Sequence, residues 1–199
     1  MRIVFATANP GKLREASEVL GPDYEVVPPA SLGIMEDIPE TGSTLRENSL
    51  QKARYLFERT GLPCFADDTG LEVDALGGAP GIYSARYAGP AHDSQANMTK
   101  LLAELEKIPG HARDDDRRAR FRTVVTLILA DGVPRFFEGV CEGSIATERH
   151  GTGGFGYDPV FLPEAYPGRT LAEVSEEEKN AVSHRGRAIR AMADWLKGR

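Results

Sequence analysis

The chain has 199 residues, 41% of them hydrophobic and 27% charged, and its 24 Lys and Arg against 30 Asp and Glu leave a formal charge of −6. A chain of this length buries roughly 70% of the surface it exposes when unfolded, so one sizeable core forms without metals or disulfides. A single domain over residues 1–199 is the expectation. The acidic balance argues against long DNA or RNA as a partner, since those are held by clustered Lys and Arg that release counterions, and it leaves a small anionic ligand open. Only two cysteines occur, Cys64 and Cys141, in no zinc-site or disulfide spacing. No stretch approaches the roughly 20 apolar residues that span a bilayer. A reducing, cytoplasmic setting with no membrane partner is the expectation.

Residues 2–7 form a short apolar run of β-formers, and Asn9-Pro10-Gly11 leads into a helical pattern with Leu13, Ala16 and Leu20 on one face before Gly21. A second strand is expected over 24–27, followed by an irregular Pro- and Gly-containing segment to Glu40. Thr44-Leu45-Arg46-Glu47 fits a capping box, in which the threonine accepts from a free amide and the glutamate reaches back. The helix it opens runs to about Arg59, stops at Gly61 and buries Leu45, Ala53, Leu56 and Phe57. Residues 63–75 read as strand material interrupted at Asp67-Asp68-Thr69-Gly70, with 77–81 as loop. An amphipathic helix is expected over 94–108, carrying Met98, Leu101, Leu102 and Leu105 on one side. The mixed-sign stretch RDDDRRAR, 113–120, reads as a solvated loop ahead of a strand. Two long strands, 121–129 and 135–145, flank a turn containing Asp131-Gly132, a hairpin signal. GTGGFGYDP at 151–159 precedes a last strand at 160–162. A second capping box, Ser175 with Glu178, then opens a helix to about Lys197 in which Gly186 is the weak point. This order implies an α/β fold with a mixed sheet, because the hairpin must pair antiparallel.

Four segments carry candidate chemistry. In Thr7-Ala8-Asn9-Pro10-Gly11-Lys12 a strand passes into a helix; with Asn9 as N-cap and Pro10 at the first helical position, Lys12 falls in the first turn beside free amides. A lysine there opposes the helix dipole, so amides, dipole and ammonium together suit an anion such as phosphate. Glu40 and Asp67-Asp68 supply carboxylates of the kind that hold magnesium together with phosphate oxygens and water. Side chains alternate along a strand, so Asp67 and Asp68 are not expected to act alike. Burying either beside Phe65, Ala66 and Leu71 without a partner would be costly. In GTGGFGYDP the glycines let backbone approach a flat ligand, Phe155 offers a stacking face, and Asp158 offers acceptors for ring N–H groups. Lys179 with Ser183-His184-Arg185 adds cations, and a continuous helix would put Lys179 and Ser183 on one face. His92, His111, His150 and His184 lack metal-ligand spacing, and no catalytic triad or activated cysteine emerges. Each segment alone also fits a capped helix, a polar turn or a solvated face. Together they describe a metal-assisted nucleotide site.

The same residues resemble the inosine/xanthosine triphosphate pyrophosphatase family. The matching motifs are T-x-N-x-x-K at 7–12, ETG at 40–42, ENSLQKA at 47–53, ADDTGLEVDALGGAPGIYSARYAG at 66–89, GTGGFGYDPVF at 151–161 and EEKNAVSHRG at 177–186. They run through almost the whole chain in the family's order. Thr69 stands where many members carry serine, and Ala8 stands where a glycine often precedes the asparagine. The resemblance implies an elongated two-lobed α/β fold with a central mixed sheet flanked by helices, an active site in the cleft between the lobes, and a homodimer. It also implies Mg²⁺-dependent hydrolysis of the non-standard purine nucleotides ITP, dITP and XTP to the monophosphate and pyrophosphate, which clears them from the nucleotide pool. Carried over residue by residue, Thr7, Ala8, Asn9, Pro10, Gly11 and Lys12 would bind the triphosphate. Glu40 and Asp68 would hold Mg²⁺, Asp68 would accept the proton of the attacking water, and Lys52 would add a phosphate contact. Phe155, Gly156, Tyr157, Asp158, Lys179, His184 and Arg185 would line the base pocket, and Thr69 would touch the substrate. Lys179 or Arg185 could satisfy a purine 6-keto oxygen, whereas adenine's 6-amino group would leave those donors unpaired, a mismatch worth about 10⁴-fold in favourable sites. Two alternatives stay open: a nucleotide-sensing binding module without turnover, and a pyrophosphatase for other modified nucleotides.

Overall fold

The computed structural model describes residues 1–108 and 117–198. In chain order the elements are β1 (Arg2–Phe5), α1 (Pro10–Leu20), β2 (Glu25–Val27), α2 (Leu45–Thr60), β3 (Cys64–Val73) and β4 (Pro80–Gly81). There follow α3 (Ser94–Glu106), β5 (Arg118–Ile128), β6 (Pro134–Ile145), β7 (Phe161–Pro163), α4 (Glu176–Val182) and α5 (His184–Lys197). The strands form one sheet in the order β2-β1-β3-β5-β6-β7, with β4 paired to β3 off that path. It is mixed, as expected: β1 is parallel to β2 and β3, while β3–β4 and β6–β7 are antiparallel.

Local chemistry sets most element ends. Asn9 Oδ1 accepts from the amides of Gly11 at 2.8 Å and Lys12 at 3.3 Å, and Pro10 opens α1 where no amide is needed. Thr44 caps α2 by accepting from the Glu47 amide at 3.1 Å, while the Glu47 carboxylate reaches one residue further back than a capping box requires, to Ser43 N at 2.7 Å. Gly61 closes the helix at φ 63°, a left-handed conformation that costs glycine little. The Ser175–Glu178 capping box forms in full.

Three sequence expectations change. The strand read as interrupted at 67–70 is continuous from Cys64 to Val73. Gly70 permits this, because a Cβ there would meet the Gly81 carbonyl oxygen at 2.6 Å where β4 crosses, so part of the expected 77–81 loop is strand. Of the RDDDRRAR stretch, 113–116 lies outside the described residues, but the rest is not solvated loop. Arg117 is buried and donates to the carbonyls of Ile145 and Ala146 at 2.5 and 2.6 Å, answering backbone acceptors at the end of β6. Arg118 already begins β5. The C-terminal helix breaks at Ser183, whose φ of −52° and ψ of 123° are extended, and not at Gly186, which is buried inside α5. The break removes the shared helix face expected for Lys179 and Ser183.

The chain divides into two compact units, residues 1–68, 123–139 and 184–199 in the first, and 69–122 and 140–183 in the second. In the first unit, one core packs α1 and α5 around Ile3, Phe5, Phe65, Val125 and Leu127, and another packs α2 through Ala53 and Leu56 onto Val4, Cys64, Ala66 and Ile128. The second unit gathers Leu71, Val73, Met98, Leu101, Leu105, Phe121, Tyr157 and Phe161 into a core under α3. Among the described residues, no helix is long and apolar enough to cross a membrane.

Candidate active site

Within the first unit, β3 delivers Asp67 and Asp68 to different partners, as strand alternation requires. Asp67 is 1% exposed. Lys12 Nζ lies 3.1 Å from its Oδ1 and 2.9 Å from its Oδ2, and Arg185 Nε donates to the same Oδ2 at 2.9 Å. Burial alone would push the Asp67 pKa up, but Lys12, Arg185 and Lys52 reverse this and hold it well below the usual carboxylate range. The Lys12 pKa moves down: its burial leads, and the positive charges of Arg185 and Lys52 add to it, outweighing Asp67. Two cations from different elements, Lys12 and Arg185, thus share one buried carboxylate, and Lys52 adds its charge from its own ion pairs with Glu40 and Asp68. The Gly11 and Lys12 amides read as free from the sequence are both taken by Asn9, so the positive charge here rests on side chains.

Beside it one ammonium serves two carboxylates. Lys52 on α2, itself buried, bridges Glu40 Oε1 at 2.5 Å and Asp68 Oδ1 at 3.5 Å. Burial, opposed by Lys52 and reinforced by Glu40 and Asp67, raises the Asp68 pKa. Its Oδ2 is buried with no hydrogen-bond partner, as is Asn48 Nδ2; the Asn48 amide is near enough to oppose that rise without reaching hydrogen-bonding geometry. The Lys52 pKa, pushed down by burial, is carried above its ordinary value by Asp68, Asp67 and Glu40. Two carboxylates drawn to one ammonium, with a buried oxygen left unpartnered, fit a hard divalent cation. Among the described residues no cluster of three or more His, Cys, Asp and Glu side chains could hold a metal ion, so phosphate and water oxygens would complete the coordination.

In the second unit the glycine-rich turn builds a separate set. Phe155 is 64% exposed, and Lys179 Nζ stands 4.4 Å from its ring centroid. Asp158 is buried and accepts on Oδ2 from the Phe155 amide at 2.7 Å and from Lys179 at 2.6 Å. A Cβ at Gly154 would lie 2.1 Å from that oxygen, so only glycine admits this turn. Tyr157 points into the core, its hydroxyl donating to the Ser84 carbonyl at 2.8 Å. Thr69 belongs to this unit, whereas His184 belongs to the first, where its Nδ1 lies 2.6 Å from Thr123 Oγ1. Lys179 and Arg185, grouped by the sequence, therefore engage different carboxylates. Asp67, which the sequence grouped with Glu40 and Asp68 as a candidate magnesium carboxylate, instead engages Lys12 and Arg185 and is the most connected carboxylate of the first set.

The mixed sheet and this interleaved set of cations and carboxylates define an α/β protein with a charged site in its first unit. Comparison with known proteins narrows this: the chain belongs to the Ham1 family, whose model matches residues 3–195. A dITP/XTP pyrophosphatase of Porphyromonas gingivalis is 51% identical over 195 residues, covering 98% of this chain and 97% of that protein. A HAM1 protein of known structure from Coxiella burnetii superimposes with a TM-score of 0.91 at 41% identity, covering 100% of both chains. A nucleoside-triphosphatase / dITP/XTP pyrophosphatase from Mycobacterium abscessus gives a TM-score of 0.80 at 46% identity over 96% of this chain and 98% of that one.

Proposed function

We propose that this protein is a Mg²⁺-dependent pyrophosphatase that converts ITP, dITP and XTP to the monophosphate and pyrophosphate, removing them from the nucleotide pool before they enter DNA or RNA. The observation that carries this reading is the arrangement of paired charges, two cations contacting Asp67 beside two carboxylates contacting Lys52, with Asp68 Oδ2 buried and unpartnered. A metal ion at Glu40 and Asp68 and a triphosphate facing the cations would match the two halves of that arrangement. The names of the relatives supply the substrate class.

Glu40 and Asp68 would hold the magnesium, which lowers the pKa of bound water and offsets negative charge on the phosphates. The Thr7–Lys12 segment binds the triphosphate, with Lys12 and Lys52 facing its oxygens. Asp68, whose raised pKa makes it the stronger base of the aspartate pair, takes the proton of the attacking water. A new oxygen–phosphorus bond forms, the α–β anhydride breaks, and pyrophosphate leaves with the bonding electrons. Phe155 offers the purine a stacking face, Gly156, Tyr157 and Asp158 shape the turn behind it, and Thr69 contacts the substrate. Lys179 or Arg185 would supply a donor for the 6-keto oxygen, and His184 would line the base pocket. The protein works in the cytoplasm as a homodimer, which sedimentation of the purified chain tests.

Incubation with ITP and separation of products decides the reaction. IMP and pyrophosphate are expected, abolished by EDTA; IDP and phosphate would refute the bond assignment, and tight ITP binding without turnover would make the protein a sensor. A panel including dTTP and dUTP tests the purine assignment. Asp68→Asn should lower turnover about 10²–10⁴-fold, the range for loss of a general base.

A further inference from the structure

We infer that Asp67 is a positioning residue that ties Lys12 and Arg185 into one fixed cationic pair, so that a single carboxylate sets both phosphate affinity and base selectivity. This rests on the proposed function, in which Lys12 faces the triphosphate and Arg185 the base. The three residues come from α1, β3 and α5, with Lys12 55 positions and Arg185 118 positions from Asp67 in the chain. Lysine and arginine side chains are long and rotamer-rich. Anchored on a buried carboxylate they are ordered before substrate arrives, which spares the entropy that binding would otherwise lose.

The geometry suits that purpose better than neutralisation. One cation would suffice to compensate a buried aspartate, yet Asp67 sits within the field of three. Arg185 reaches it through Nε, the inner nitrogen of the guanidinium, while Nη1 stands 3.7 Å from Glu15 Oε2, so two carboxylates orient the guanidinium. Lys12 meets both carboxylate oxygens, which fixes the direction of its stem as well as its charge. Asp68, next along the strand, pairs with Lys52 instead. Damage at Asp67 should therefore weaken substrate binding and selectivity while leaving the proton-accepting group in place.

The test uses the full chain with two substitutions. Asp67→Glu keeps the charge and moves the carboxylate by about one C–C bond, 1.5 Å; Asp67→Asn keeps the shape and removes the charge. With ITP as substrate, Asp67→Glu should raise KM about 10-fold or more while kcat stays within about 3-fold, the signature of lost uniform binding. The ratio of kcat/KM for ITP over ATP should fall at least about 5-fold, because Arg185 no longer meets the base squarely. Asp67→Asn should show the same pattern more strongly. Wild-type KM and an unchanged ITP to ATP ratio in folded Asp67→Glu would overturn the inference. Equal losses in kcat and kcat/KM with the ratio intact would also overturn it, since Asp67 would then be supporting Asp68. Absence of ITP turnover in the wild type is seen before any variant is made and refutes the proposed function instead. A check independent of variants follows the Arg185 Nε–H NMR signal of the wild-type protein during titration with inorganic triphosphate. The signal should stay protected at saturation, and its loss would show the anion displacing Asp67.

Discussion

Gly139→Ala tests whether the packing of α5 sets the site. Gly139 lies in β6, and a Cβ there would sit 2.0 Å from the carbonyl oxygen of His184, 2.7 Å from the Ala188 amide nitrogen and 2.9 Å from Arg187 Cβ. The two closest atoms are backbone of the first turns of α5 and cannot rotate away as a side-chain tip can. Relieving the worst contact requires about 1.4 Å of movement, the gap between 2.0 Å and ordinary contact at 3.4 Å. Overpacking of this kind costs about 1–3 kcal/mol. At about 2–4 °C per kcal/mol for a chain of this size, Tm should fall roughly 2–12 °C. The same movement displaces His184 from Thr123 and Arg185 from Asp67, contacts now at 2.6 and 2.9 Å. A misplacement near 1 Å can cost about 10²-fold in rate, so kcat/KM for ITP should drop by about one to two powers of ten. Thermal unfolding by circular dichroism and steady-state kinetics on the same preparation measure both. A Tm within about 1 °C of wild type, outside the range expected for overpacking, together with unchanged kcat/KM would refute the reasoning.

The adjacent aspartates should affect stability with opposite sign. The raised pKa of Asp68 means its stabilising contribution is fully present below the unfolded carboxylate pKa of about 3.9 and is lost as pH rises through its folded value, so metal-free Asp68→Asn should unfold at pH 7 in no less urea than wild type. The lowered pKa of Asp67 contributes stability present above about pH 4 and lost as pH falls through its folded value. Asp67→Asn strands two cations and should lose about 3–5 kcal/mol at pH 7; equal midpoints for the two variants would contradict this assignment. Phe155→Ala removes an exposed ring and should leave Tm within the small range of surface changes, while raising KM for ITP about 5- to 150-fold through lost stacking of about 1–3 kcal/mol. Inhibition by inorganic triphosphate, which has no base, should be unchanged; a parallel loss would remove Phe155 from the base pocket.

Local order was legible because its causes lie within a few residues. Asn9 and Thr44 cap the helices that follow them, Ser175 with Glu178 closes a full capping box, and Gly61 ends α2 where only a left-handed residue continues the chain. The run of motifs from Thr7 to Arg185 likewise sufficed to indicate the family. Contacts made by other parts of the chain decided the remainder. The continuity of β3 depends on Gly70 meeting the backbone of Gly81, and the burial of Arg117 depends on carbonyls at Ile145 and Ala146. Ser183 breaks the last helix where the chain leaves the second unit and His184 returns to the first. The partner of Lys12 proved to be Asp67, shared with Arg185, where the sequence offered free helix amides. Capping and periodicity act over one turn or one strand, and sequence carries them directly. A buried charge takes whichever opposite charge folding brings within a few ångströms, and only the tertiary structure shows which that is.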